Sequence, residues 1–118
     1  MSFLNCFSVH HHAHELILSI ASHIAYINLG FPKMGTSSLH SFFKCGGHTS
    51  THFNCGQRKG KCASCIRESV ASGLSPLALC GEADMYAQID DGTYFPQIEL
   101  LEELVRGHTN ATFFLTFR

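Results

Sequence analysis

The sequence carries little charge and no excess of either sign. Charged residues make up 14% of the chain, eight Lys and Arg against nine Asp and Glu. No global basic field therefore exists to recruit nucleic acid or an anionic membrane, and any anion must be held locally. Long apolar runs are lacking as well. The stretch from Leu16 to Leu29 is interrupted by Ser19, Ser22, His23 and Asn28, too short and too polar to span a bilayer as a helix. The start also lacks the positive n-region and unbroken apolar segment of a signal peptide. It offers His10, His11, His12 and His14 instead, a cluster able to bind metal but read here as part of a solvated, weakly ordered tail over residues 1–23. No internal repeat or low-complexity segment is visible. What is present, 45% hydrophobic residues in a chain of 118, indicates one small globular domain with a modest core.

The run Ile24-Ala-Tyr-Ile-Asn-Leu29, stopped by Gly30, reads as a buried first strand. After the loop from Gly30 to Gly35, the spacing of Leu39, Phe42 and Phe43 predicts a helix from Thr36 to Lys44. Residues 45–61 are polar and aperiodic, which predicts a long irregular connection. Ile66, Val70 and Leu74 predict a second helix with Gly73 and Pro76 at its exit, and Leu77 to Cys80 is short enough for a strand. Pro96 suits the first turn of a third helix, with Ile98, Leu101 and Val105 on one face before Gly107. The closing Ala111-Thr-Phe-Phe-Leu-Thr-Phe117 reads as a strand buried on both faces. Helices alternating with buried strands predict an α/β layer fold with a mostly parallel sheet. Ligands in such folds collect at the carboxyl ends of strands, where Gly30 and Arg118 both fall.

The loop itself is Gly30-Phe-Pro-Lys-Met-Gly-Thr-Ser37. Between a strand and a helix, its backbone N–H groups and the helix N-terminus can cradle an anion. An ATP-type phosphate loop would have Lys directly after the second Gly, but Thr36 stands there and Lys33 lies inside the loop. Pro32-Lys33-Met34-Gly35-Thr36-Ser37-Ser38-Leu39 instead resembles the 5′-phosphosulfate loop of sulfotransferases. Tyr94-Phe-Pro-Gln-Ile-Glu-Leu-Leu101 and Asn110 to Arg118 are similar in kind to the segments carrying the 3′-phosphate side of the site in carbohydrate and algal sulfotransferases.

That resemblance, spanning residues 26–118, implies a P-loop-type three-layer α/β fold of which this chain is an incomplete, amino-terminal part. It implies 3′-phosphoadenosine 5′-phosphosulfate as co-substrate, no metal, and sulfuryl transfer to a hydroxyl or amine acceptor. Lys33 would stabilise charge growing on the bridging oxygen. Pro32, Met34, Gly35, Thr36, Ser37 and Ser38 would hold the 5′-phosphate, and Arg118 the 3′-phosphate. Such a fragment is expected to be inactive alone, with part of its grip on the nucleotide and most of its acceptor pocket missing.

The general base is not fixed by the sequence. Glu82 and Asp84 are candidates, His40 and His48 weaker ones, and Asp90 and Asp91 read as turn residues. Six cysteines leave disulfides, free thiols and a zinc site open. Cys62-Ala-Ser-Cys65 lacks a second CxxC, but Cys45, Cys55, His48 and His52 are near it in the chain, inside a Cys- and His-bearing loop over 45–65. Cys45, Cys55, Cys62 and Cys65 are expected to lie together. Disulfides among these and Cys80 would suit a lumenal protein, and together with the family resemblance they slightly favour the Golgi lumen over the cytoplasm. Asn110-Ala-Thr112 is a glycosylation sequon in that setting, although a turn before the last strand is its more natural use. Two other readings stand beside the leading one, a P-loop kinase or NTPase and a zinc-stabilised interaction module.

Overall fold

The computed structural model of this chain describes residues 25–31, 34–56 and 60–116. The expected tail, and with it Pro32, Lys33 and Arg118, lie outside those residues. Along the chain come β1 (Tyr26–Asn28), α1 (Thr36–Cys45), β2 (Ser50–His52), β3 (Asn54–Cys55), β4 (Gly60–Lys61), α2 (Cys62–Ala71), β5 (Met85–Gln88), α3 (Pro96–Glu99), α4 (Leu101–Gly107) and β6 (Thr112–Phe114). The strands form one sheet in the order β4-β3-β2-β5-β1-β6. β2, β5, β1 and β6 run parallel, with β6 at one edge, and beyond β2 the sheet continues through antiparallel β3 and β4 to the other edge. The expectation of a mostly parallel α/β sheet holds.

Pairing explains the layers. Tyr26 lies opposite Met85 and Thr112, and Ile27 lies opposite Tyr86 and Phe113. Because strand side chains alternate between faces, Tyr26, Met85 and Ala87 point to one side, where Phe43 of α1 is buried among them with Leu39, Phe42 and Phe114 packed against it. The rings of Tyr26 and Phe43 stand 5.1 Å apart. Ile27 and Tyr86 point to the other side and join Ile66 of α2 and Leu104 of α4 in the second core cluster.

Five expectations are corrected. Residues 45–61 are not merely irregular, since β2, β3 and β4 lie within them. β2 is Ser-Thr-His and shows no apolar alternation; its place comes from pairing with β5. The strand β5 itself went unpredicted because Met-Tyr-Ala-Gln has no β-branched residue, yet Met85, Tyr86 and Ala87 are all buried at the centre of the sheet. Leu77 to Cys80 forms turns rather than a strand. The predicted third helix is divided at Leu100 into α3 and α4, and its inward face is different. Leu104 is buried, whereas Ile98, Leu101 and Val105 are exposed. The last strand is shorter than expected and occupies the sheet edge, with Leu115 68% exposed.

Candidate functional site

Gly30 follows β1 at the carboxyl end of the parallel strands, and polar side chains fix its backbone from two directions. Buried Asn28 donates from Nδ2 to the Ala87 carbonyl at 2.9 Å. Its Oδ1 accepts from Gly30 N at 3.0 Å and from Thr116 Oγ1 at 3.3 Å. Gln97 Nε2, on α3, donates to the Gly30 carbonyl at 3.4 Å and to Asp90 Oδ1 at 3.3 Å. Asp90 is fully buried and also accepts from Gly92 N. Gly30 is required sterically, because a Cβ there would stand 1.9 Å from Thr116 Oγ1.

The loop leads into α1 through Gly35, whose φ of 85° lies in the left-handed region. No side chain caps α1 and no acidic residue occupies its first turn. First-turn N–H groups are thereby left to meet an anion, which the helix dipole also favours. Ser37 and Ser38 are exposed beside them, and Met34 is half-buried. Thr36 is buried, with Oγ1 3.0 Å from His52 Nε2 and 3.5 Å from Gln88 Oε1. One ring away, His40 Nδ1 is 2.7 Å from Ser50 Oγ. The rings of His40 and His52 lie 5.5 Å apart. Burial, then the neighbouring His52 and Lys44 charges, push the His40 pKa down. Phe31 and Phe95 meet edge-on at 5.9 Å next to Gly30.

The structure does not bring the sequence-predicted acids to this loop. Asp84 precedes β5, and its carbonyl accepts from Tyr26 N at the start of β1, so it sits at the opposite end of the strands. Its Oδ2 meets His48 Nδ1 at 3.1 Å and accepts from Thr49 N and Oγ1. Burial would raise the Asp84 pKa, but the His48 and Thr49 hydrogen bonds and the His48 charge outweigh it and hold the carboxyl below its ordinary value. Glu82 is exposed at the same end. A cavity of about 810 Å³ opens there, bordered by Thr49, Asp84, Tyr86 and His108; His108 Nε2 is buried without a hydrogen-bond partner. We place the candidate site at the loop, since the cavity has no helix N-terminus of useful length and no glycine-rich turn. Asp91 behaves as the expected turn residue, accepting from Thr93 and Tyr94 N–H groups.

Asn28, His52, Gln88, Asp90 and Gln97 were not legible as loop residues. Asn28 registered only as a polar interruption, and its position two residues before Gly30 was the signal available. His52 and Gln88 meet Thr36 through β2 and β5, the strands that periodicity did not find.

The cysteines are paired as Cys55–Cys62 and Cys65–Cys80. Cys45 is disulfide-bonded as well. Three of the four cysteines expected together are indeed near one another, but Cys80 rather than Cys45 completes the group. The Sγ atoms of Cys55, Cys65 and Cys80 all lie within 4.8 Å of one another in the interior, a group that could hold a metal ion with its disulfides reduced to thiolates. This corrects the cofactor expectation. A phosphosulfate nucleotide with no metal is not an adequate account of a chain whose core contains such a cluster. Among the described residues, no helix is long and apolar enough to cross a membrane. No family model, no curated protein and no solved structure matches this chain.

Proposed function

We propose that this chain carries the nucleotide-binding part of a sulfotransferase-like P-loop domain, and that the loop from Gly30 to Ser38 receives the phosphate end of its nucleotide. The observation that carries this reading is the loop's position. It leaves the carboxyl end of β1, with β5 and β6 on either side, and enters the uncapped N-terminus of a ten-residue helix. The loop sequence, with lysine inside rather than after the second glycine, favours sulfuryl transfer over ATP hydrolysis. In that chemistry the sulfur–oxygen bond to the nucleotide breaks, a new bond forms from sulfur to an acceptor hydroxyl or amine, and the acceptor proton passes to a base. Lys33 offsets charge on the departing oxygen. Thr36 contributes a hydroxyl oriented by His52 and Gln88. The base side of the reaction falls to His40 or His52, because Glu82 and Asp84 lie at the far ends of the strands. His40, with its pKa pushed down, is neutral at neutral pH and free to accept a proton. Two disulfides fit a secreted or lumenal setting, and the Golgi lumen is the compartment this function would favour.

Calorimetric titration with adenosine 3′,5′-bisphosphate tests the proposal. Binding that weakens by about tenfold or more in Lys33→Ala supports it. Binding of ATP with magnesium, and none of the bisphosphate, would refute it in favour of a kinase or NTPase.

A further inference from the structure

Four cysteines occupy one small volume of the core. Cys55 ends β3, Cys62 and Cys65 lie in the first turn of α2, and Cys80 stands in the turns before β5. Cys55, Cys62 and Cys80 are almost completely buried and Cys65 is 9% exposed. The two disulfides are not separate staples, since one sulfur of the first pair lies within 4.8 Å of both sulfurs of the second. We propose that this cluster is a redox-gated metal site, present as two disulfides in the oxidised chain and as a tetrathiolate holding one zinc-class divalent cation in the reduced chain.

The geometry requires little movement. Tetrahedral zinc with Zn–S bonds of about 2.3 Å has sulfur–sulfur edges of about 3.8 Å. The sulfur of Cys55 already lies within 4.8 Å of those of Cys65 and Cys80. Cys62 must withdraw from Cys55, and Cys65 from Cys80, and cleavage of the two disulfides permits both movements. The ligand types and spacing agree, because Cys62-Ala-Ser-Cys65 presents two thiols from the N-terminus of a ten-residue helix, a position that favours thiolate. Two further sulfurs then arrive from separate elements. In the conversion, each disulfide takes two electrons and two protons from a dithiol reductant, which leaves as its own disulfide. The four thiols release four protons as the metal takes the four thiolates.

The test uses the full chain, reduced with a dithiol that is then removed without oxygen, and cobalt(II) as the spectroscopic probe. The expected result is one cobalt per chain, with the intense visible absorption of a tetrahedral centre and a sulfur-to-cobalt charge-transfer band. Equimolar zinc should abolish both, and the oxidised chain should show neither. Cys65→Ser and Cys80→Ser should each weaken cobalt binding by about tenfold or more, while Cys45→Ser leaves it unchanged. If the reduced chain loses its tertiary signal in near-ultraviolet circular dichroism, added zinc should restore it. The inference is overturned if reduced protein shows no charge-transfer band, if the band survives in a Cys55→Ser, Cys80→Ser double variant, or if zinc fails to restore an unfolded reduced chain. Cobalt bound only by histidines would give no sulfur band and would count against it.

Discussion

At Asn28 a single buried side chain ties three segments of backbone and side chain to the start of the loop. Its carboxamide bonds Ala87 O, Gly30 N and Thr116 Oγ1. Asn28→Leu keeps the volume but leaves Gly30 N and Ala87 O without that partner in the interior, so it should lower stability by about 2–4 kcal/mol. Urea denaturation checks this. An unchanged midpoint would mean that Asn28 does not anchor the loop. Gly30→Ala is expected to be at least as harmful, because the added Cβ meets the Thr116 backbone carbonyl at 2.8 Å as well as its side chain. Removing the Thr116 hydroxyl by Thr116→Ala would therefore relieve the clash only in part, and the double variant should recover less than full stability.

The elements owe their places to two kinds of burial, one readable in the sequence and one not. α1 belongs to the first kind. Leu39, Phe42 and Phe43 recur at helical spacing, and Phe43 is driven under the sheet against Tyr26, Met85 and Ala87. Phe43→Ala should cost about 3–5 kcal/mol through lost transfer energy and the cavity left behind, measured by thermal or urea unfolding. β2 and β5 belong to the second kind. Ser50, Thr51, Met85 and Ala87 have no pattern of their own and become strands because parallel neighbours satisfy their backbones. α4 shows the same limit from the other side. Periodicity chose Ile98, Leu101 and Val105 as the inward face, but the break at Leu100 turns Leu104 to the core instead. The helix after the loop was thus legible, while the partners of Thr36 were not, since they arrive on strands fixed by tertiary pairing. The cysteine pairing is likewise a tertiary fact. Cys65–Cys80 closes a separation of 15 residues, so under oxidising conditions Cys80→Ser should lose about 3 kcal/mol in the chain-entropy account, read as a lowered urea midpoint. Equal stability of wild type and variant without reductant would show that the bridge does not form.

For the whole molecule, titration should set the acid limit of stability. Burial pushes the pKa of His108 down, and burial with neighbouring charge does the same to His40. Both groups bind protons more readily in the unfolded chain, so stability is complete above the unfolded value of about 6.5 and falls as pH drops through the lower folded values. Asp84, held below its ordinary value, and Asp91, lowered to about 2 by hydrogen bonds from Tyr94 and Thr93, add losses at more acid pH. The thermal midpoint should therefore be lower at about pH 5 than at about pH 7.5, and His108→Leu should flatten the decline. A midpoint rising toward acid would contradict these assignments. The central claim, that the molecule takes the phosphate end of a nucleotide on its β1–α1 loop and not in the cavity at the opposite strand ends, is tested most directly by amide chemical-shift mapping with adenosine 3′,5′-bisphosphate. The account predicts saturable shifts at Gly30 and from Gly35 to Ser38, diminished in Lys33→Ala, with Thr49, Asp84 and His108 unmoved. Shifts confined to Thr49, Asp84 and His108, or none at any ligand concentration, would contradict it.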